Sequence, residues 1–234
     1  MKLADVLWRP ATRSFIVAST RSGKSTLAAA GVDLYHIKHP RDQIIVLDAK
    51  RRYFSAFDKQ EPRIFPMGFR AVIFKGMRGV FVNAPLATRS WDFKSKAPAL
   101  LIQDEELMDT YFQWLYKHAK WSEKRLVFSD ETFGWGGPRG NPNFRRLMQE
   151  GGERGVGMVN INQRPRGLET TILSEAEQVY VGHVRRGDDR DFLRQNLDVD
   201  GKIPLLPPYH WLLIDQANPA RTSRKPWTLG KTFK

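Results

Sequence analysis

The residues Ala18-Ser19-Thr20-Arg21-Ser22-Gly23-Lys24-Ser25-Thr26 are the types that a phosphate chain requires. Their spacing is that of the phosphate-binding loop, Gly, four residues, then Gly-Lys-Ser/Thr, with Ala18 at the first glycine position. Backbone N–H groups of such a loop turn inward and wrap phosphate oxygens. Gly23 lets the backbone come close, where a side chain would block it. Lys24 is placed to reach the β- and γ-phosphates, and Ser25 to offer its hydroxyl to Mg²⁺. ATP and Mg²⁺ are therefore the expected cofactors, with Ser19, Thr20, Arg21, Ser22, Gly23, Lys24, Ser25 and Thr26 forming the nucleotide cradle.

Hydrolysis needs more than a cradle. The apolar run Leu126-Val127-Phe128 ends in Ser129-Asp130-Glu131. Asp130 is expected to bind or orient the Mg²⁺ waters, and Glu131 to hold the attacking water and accept its proton. An Asp-Glu pair alone is weak; beside a phosphate loop it gains a task. A second apolar run, Val156 to Asn162, ends in Gln163. An amide at that strand tip can touch the γ-phosphate and the water together, so it can report hydrolysis.

These groups need strands to carry them and helices to cover the strands. Short apolar runs predict strands at Phe15–Ala18, Gln43–Asp48, Arg125–Asp130, Val156–Asn162, Gln178–Val184 and His210–Asp215. Weaker strand patterns lie at Ala71–Lys75 and Gly79–Asn83. Helical spacing is clearest over Asp104–Lys120, whose first turn is acidic. Further helices are expected at Lys24–Leu34, Asn143–Glu153 and Asp188–Leu197. The alternation predicts an α/β fold with a central, mostly parallel sheet flanked by helices. One domain over residues 1–215 and a basic C-terminal arm over 216–234 are expected.

The chain has 234 residues, with 38 Lys and Arg against 25 Asp and Glu, a net charge of +13. That surplus makes nucleic acid the first candidate partner and an anionic membrane surface the second. There are 0 cysteines, which excludes disulfide scaffolds, Cys-ligated zinc, iron–sulfur clusters and thiol catalysis. The first ten residues lack the apolar core of a signal peptide, and no apolar run approaches the roughly 18 residues of a membrane span. No membrane insertion and a cytoplasmic location are expected.

The order of phosphate loop, acid strand and polar sensor strand resembles the additional-strand catalytic-glutamate class of P-loop ATPases. Within it, the chain resembles the FtsK–HerA superfamily. The resemblance rests on Ser19 to Ser25, on Val46-Leu47-Asp48-Ala49-Lys50, on Phe128-Ser129-Asp130-Glu131, and on Glu153-Arg154-Gly155-Val156-Gly157-Met158 running to Asn162-Gln163-Arg164-Pro165. It spans about residues 14 to 215 and departs where Ala18 and Arg21 replace glycines. A bare motor of this size is similar to the compact viral genome-packaging ATPases. The resemblance implies a DNA-translocating ATPase, working as a homo-oligomeric ring of five or six subunits on double-stranded DNA. It also implies a portal or vertex protein of a virion as partner, with work in the host cytoplasm or at the capsid vertex. An Arg from one subunit would reach the γ-phosphate on the next. Arg154 is the first candidate by motif position, with Arg185 and Arg186 as alternatives. Candidate DNA contacts are Arg139, in the glycine-rich loop after Glu131, and Lys94 with Lys96. The alternatives are another P-loop enzyme such as a nucleotide kinase, or an inactive P-loop assembly protein. A GTPase is disfavoured because no Asn-Lys-x-Asp appears.

Overall fold

The computed structural model describes residues 8–47, 79–82, 99–102, 105–131, 140–197, 199, 201–223 and 225–228. Strand β1 (Arg13–Val17) leads through the phosphate loop into helix α1 (Lys24–Lys38). β2 (Gln43–Leu47), β3 (Gly79–Val82) and β4 (Ala99–Ile102) follow, then helix α2 (Glu105–His118). β5 (Arg125–Asp130) and helix α3 (Pro142–Glu150) precede β6 (Val156–Asn162). The short helix α4 (Thr170–Ser174), β7 (Gln178–Val181), helix α5 (Gly187–Asn196), β8 (His210–Asp215) and β9 (Trp227–Thr228) complete the described elements.

The strands form one sheet in the order β3-β4-β2-β5-β6-β1-β7-β8-β9. The pairings from β3 across to β7 are parallel, and β8 and β9 add antiparallel strands at one side. β6 lies between β1 and β5, so one strand separates the phosphate-loop strand from the acid strand, as expected.

Side chains alternate across a strand, and the core shows that period. Ile44, Val46, Leu126, Phe128, Val159 and Ile161 face α1 with Trp8 and Trp211. Their neighbours Ile45, Leu47, Val127 and Met158 face α2 and α3 on the other side. Phe15, Val17, Val179 and Val181 pack under α5 on that same alternation. Burial on both faces explains why these strands read as continuous apolar runs. The tryptophans Trp8, Trp211 and Trp227 are core residues.

The structure adjusts several expected boundaries. The helix expected to Glu153 ends at Glu150 and tightens into a 3₁₀ turn over Gly151–Arg154. The strand expected to Val184 stops at Val181, because the next residues turn to bond the phosphate loop. β4 arises from an apolar run whose four residues show no alternation to identify it as a strand. The expected strand Ala71–Lys75 lies outside the described residues. In the C-terminal segment, Arg221 pairs with buried Asp215 at 3.4 Å and β9 pairs with β8. Among the described residues, no helix is long and apolar enough to cross a membrane.

Candidate functional site

The parallel register brings the strand ends to one edge. Val17 stands beside Asn162 and Val181, and Asp130 beside Ile161. The phosphate loop leaves β1 tied to both neighbours. The Ala18 N–H donates to the Asn162 carbonyl at 3.4 Å, and the Ser19 N–H to the His183 carbonyl at 2.7 Å.

Ala18 is fully buried and is not among the residues with positive φ, so position 18 does not need glycine's backbone freedom. The space is supplied across the strand instead. A Cβ at Gly182 would lie 2.9 Å from the Ala18 Cβ and 2.6 Å from Trp211 Cζ3. Arg21 differs: it adopts φ 60°, the left-handed region that glycine enters at least cost. Gly23 caps α1 at φ 88°, and no side chain caps the helix. The first turn of α1 carries no acid. Its N–H groups therefore open toward the loop with the dipole sign that suits an anion.

Lys24 is buried and its Nζ donates to the Ser19 carbonyl at 2.8 Å, within the loop. Asp130 is 3% exposed at the tip of β5. Glu131 turns off the strand at φ 59°. A polar chain joins the three motifs: Thr20 Oγ1 donates to Gln163 Oε1 at 2.8 Å, and Gln163 Nε2 donates to Glu131 Oε1 at 2.6 Å. The Asn162 side chain accepts from the Gln163 N–H at 2.7 Å and fixes the turn that aims the amide. Beyond Gln163, Arg164 lies 3.7 Å from Asp189, whose burial raises its pKa despite that neighbour.

A magnesium nucleotide fits this set of donors. Thr26 Oγ1, Ser129 Oγ and Asn162 Nδ2, all close in sequence to the loop or the strand tips, are buried without a hydrogen-bond partner. Ser25 and Asp130 would offer the hard oxygen ligands that Mg²⁺ prefers. Lys24 and the loop amides would offer the cationic side.

The arginines separate. Arg154 lies at the start of β6, the end opposite the phosphate loop of its own chain. Its guanidinium donates to the Tyr116 carbonyl at 3.1 Å, pairs with Glu150 at 3.4 Å and sits 4.4 Å from the Tyr116 ring centroid. The phosphate loop of its own chain is out of its reach. Arg185 stands at the loop itself, where its N–H donates to Ser19 Oγ at 3.1 Å. Arg186 caps α5. Lys94, Lys96 and Arg139 lie outside the described residues. Sequence reasoning passed over Tyr209, whose N–H donates to the Ser22 carbonyl at 3.3 Å. Its only sequence signal is the stiff Pro207-Pro208 before it.

No protein-family model matches the chain, and no curated protein matches it. Solved structures do. The DNA-packaging ATPase B204 of Sulfolobus turreted icosahedral virus matches with TM-score 0.66 at 17% identity, over 90% of this chain and 95% of that one. The genome packaging NTPase B204 of Sulfolobus turreted icosahedral virus 2, solved with AMPPCP, gives 0.64 at 16%, over 90% and 95%. The cytoplasmic domain of the type VII secretion ATPase EccC of Thermomonospora curvata gives 0.56 at 10%, over 88% of this chain and 22% of that one. At these identities the likeness is one of fold. The chain has the α/β P-loop fold that its resemblance to the FtsK–HerA superfamily implied.

Proposed function

We propose that this protein is a Mg²⁺-dependent ATPase that translocates double-stranded DNA as a homo-oligomeric ring and packages a viral genome. The observation that carries the ATPase reading is the chain Thr20–Gln163–Glu131, which couples the loop to the general base through one amide. The likeness in fold to B204 supports the packaging role, and the charge of +13 supports a polyanionic partner.

In this reading Lys24 and the loop amides hold the triphosphate, and Ser25 with Asp130 hold Mg²⁺. Bound Mg²⁺ would neutralise charge on the β- and γ-phosphate oxygens. In the present geometry one oxygen of Glu131 is engaged by Gln163. When Gln163 turns its N–H toward the γ-phosphate, the Glu131 carboxylate is released to orient a water. Glu131 then takes the water's proton as its oxygen attacks phosphorus, and ADP leaves. Arg154 acts on the neighbouring copy, where a cation stabilises the charge of the transferring phosphoryl group. Arg139, Lys94 and Lys96 hold the DNA backbone in the ring, and the work is done in the host cytoplasm at a portal or capsid vertex.

The test is phosphate release with and without duplex DNA, on material of known oligomeric mass. DNA should stimulate turnover, and salt should weaken DNA binding. An assembled ring indifferent to DNA would rule out the motor. Mixing Arg154→Ala with Lys24→Ala subunits should restore part of the turnover each lacks alone; no recovery would remove Arg154 as a group acting between subunits.

A further inference from the structure

The geometry points to Tyr209 as the nucleobase platform of this site: its ring stacks the base of the bound nucleoside triphosphate. This rests on the reading of the loop as a nucleotide site.

The placement follows from which side of β1 carries which groups. Glu131 and Gln163 come from β5 and β6, on one side of β1. The γ-phosphate must face them, because the base and the sensor act there. The other end of the triphosphate then points across β1 toward β7 and β8. The segment that enters β8 on that side is Gly201 to Tyr209.

That segment is built to hold an aromatic ring at the loop. Ile203 and Leu206 are buried and anchor it. His183, whose carbonyl accepts from Ser19, bonds through Nδ1 to the Leu206 carbonyl. Pro207 and Pro208 stiffen the last step. The Tyr209 N–H then donates to Ser22, inside the phosphate loop, at 3.3 Å. The ring edge lies against Gly23: a Cβ there would sit 2.6 Å from Tyr209 Cδ1 and 3.0 Å from Cε1.

Two features argue for a ligand on the ring. Tyr209 is 45% exposed, a large aromatic left open to solvent beside a phosphate cradle, with exposed Leu205 on the same segment. It also sits at φ 63°, where a tyrosine costs more than the glycine that would serve as a simple connector. A strained backbone that presents an open ring is accounted for if the ring has a partner. A base stacked on it satisfies both features, and stacking needs no hydrogen-bond code.

The experiment compares two ligands that differ in the base. ATP and inorganic tripolyphosphate, each with Mg²⁺, are titrated into the full chain and its variants at matched oligomeric mass. Tyr209→Ala should weaken ATP by about tenfold or more and tripolyphosphate by less than about twofold. Tyr209→Phe should keep ATP affinity, and the indole of Tyr209→Trp should show a changed emission with ATP and not with tripolyphosphate. Equal losses for both ligands in Tyr209→Ala would overturn the proposal and make the ring a prop for the loop. Unchanged ATP affinity would overturn it too. If the unaltered chain binds neither ligand, the nucleotide reading itself fails, a result distinct from either.

Discussion

The two edges of the parallel sheet use the same residue types for different ends. At the edge where the strands begin, arginines are tied down by their own chain. Arg13 bonds Glu177 at 3.1 Å and the carbonyls of Met148 and Gln149 at 2.8 and 2.9 Å. Arg125 pairs with Glu123 at 2.8 Å, and Arg154 with Glu150 and Tyr116. At the edge where the strands end, Lys24 borrows a loop carbonyl and Gln163 spans Thr20 and Glu131. These are bonds a ligand can take over without unfolding anything. Of the four non-glycine residues with positive φ among the described residues, Arg21, Glu131 and Tyr209 sit at this second edge. Strain collects where binding can repay it. The bonds of Arg13 and Arg125 stabilise the fold at one edge, and the other edge is held in readiness.

The sharpest way to break that contrast is Glu131→Gln. It should bind ATP and lose turnover by about 10³-fold, read by equilibrium binding and phosphate release. Normal turnover would deny the second edge its chemistry. Gln163→Ala comes next. It should lower turnover by about 10²-fold while nucleotide affinity stays within a few-fold. An equal loss in affinity would make the amide part of the cradle instead. Arg13→Ala sharpens the contrast from the other edge. Its partly buried bonds to Glu177 and two carbonyls should cost about 1–2 kcal/mol of stability, seen as a lower Tm. Turnover measured well below that Tm should be unchanged; a large loss there would show the edges to be coupled. The smallest effect belongs to Arg21→Gly. Relief of the left-handed conformation, less the added chain entropy, should leave stability within about 1 kcal/mol, measured by denaturant titration.

Much of the second edge could be read before the fold was known. The phosphate loop is contiguous, so its residues and their spacing appear together. Glu131 and Gln163 were legible because a parallel sheet collects strand ends, and each stands just past an apolar run. Their contact was not legible, because a 2.6 Å bond between positions in different strands depends on register and turn geometry. Tyr209 escaped for the same reason: its meeting with Gly23 is made by the return of β8 to the sheet. Within the fold, β4 was missed because four consecutive apolar residues carry no period that separates strand from helix. The boundary of α3 shifted because Gly151 and Gly152 favour a tighter turn than periodicity alone suggests.

The pairing of Ala18 with Gly182 bears on what the phosphate motif is. The first glycine of the pattern is absent from the loop, yet the room it would have left is present, contributed by the adjacent strand. The constraint is therefore one of volume shared across two backbones, and either backbone can meet it. Gly182→Ala should then behave like damage to the loop despite lying far from it in the chain. Adding Ala18→Gly should recover the part of the loss that arises between the two methyl groups and leave the part owed to Trp211. A motif altered when read along the chain is complete when read through space.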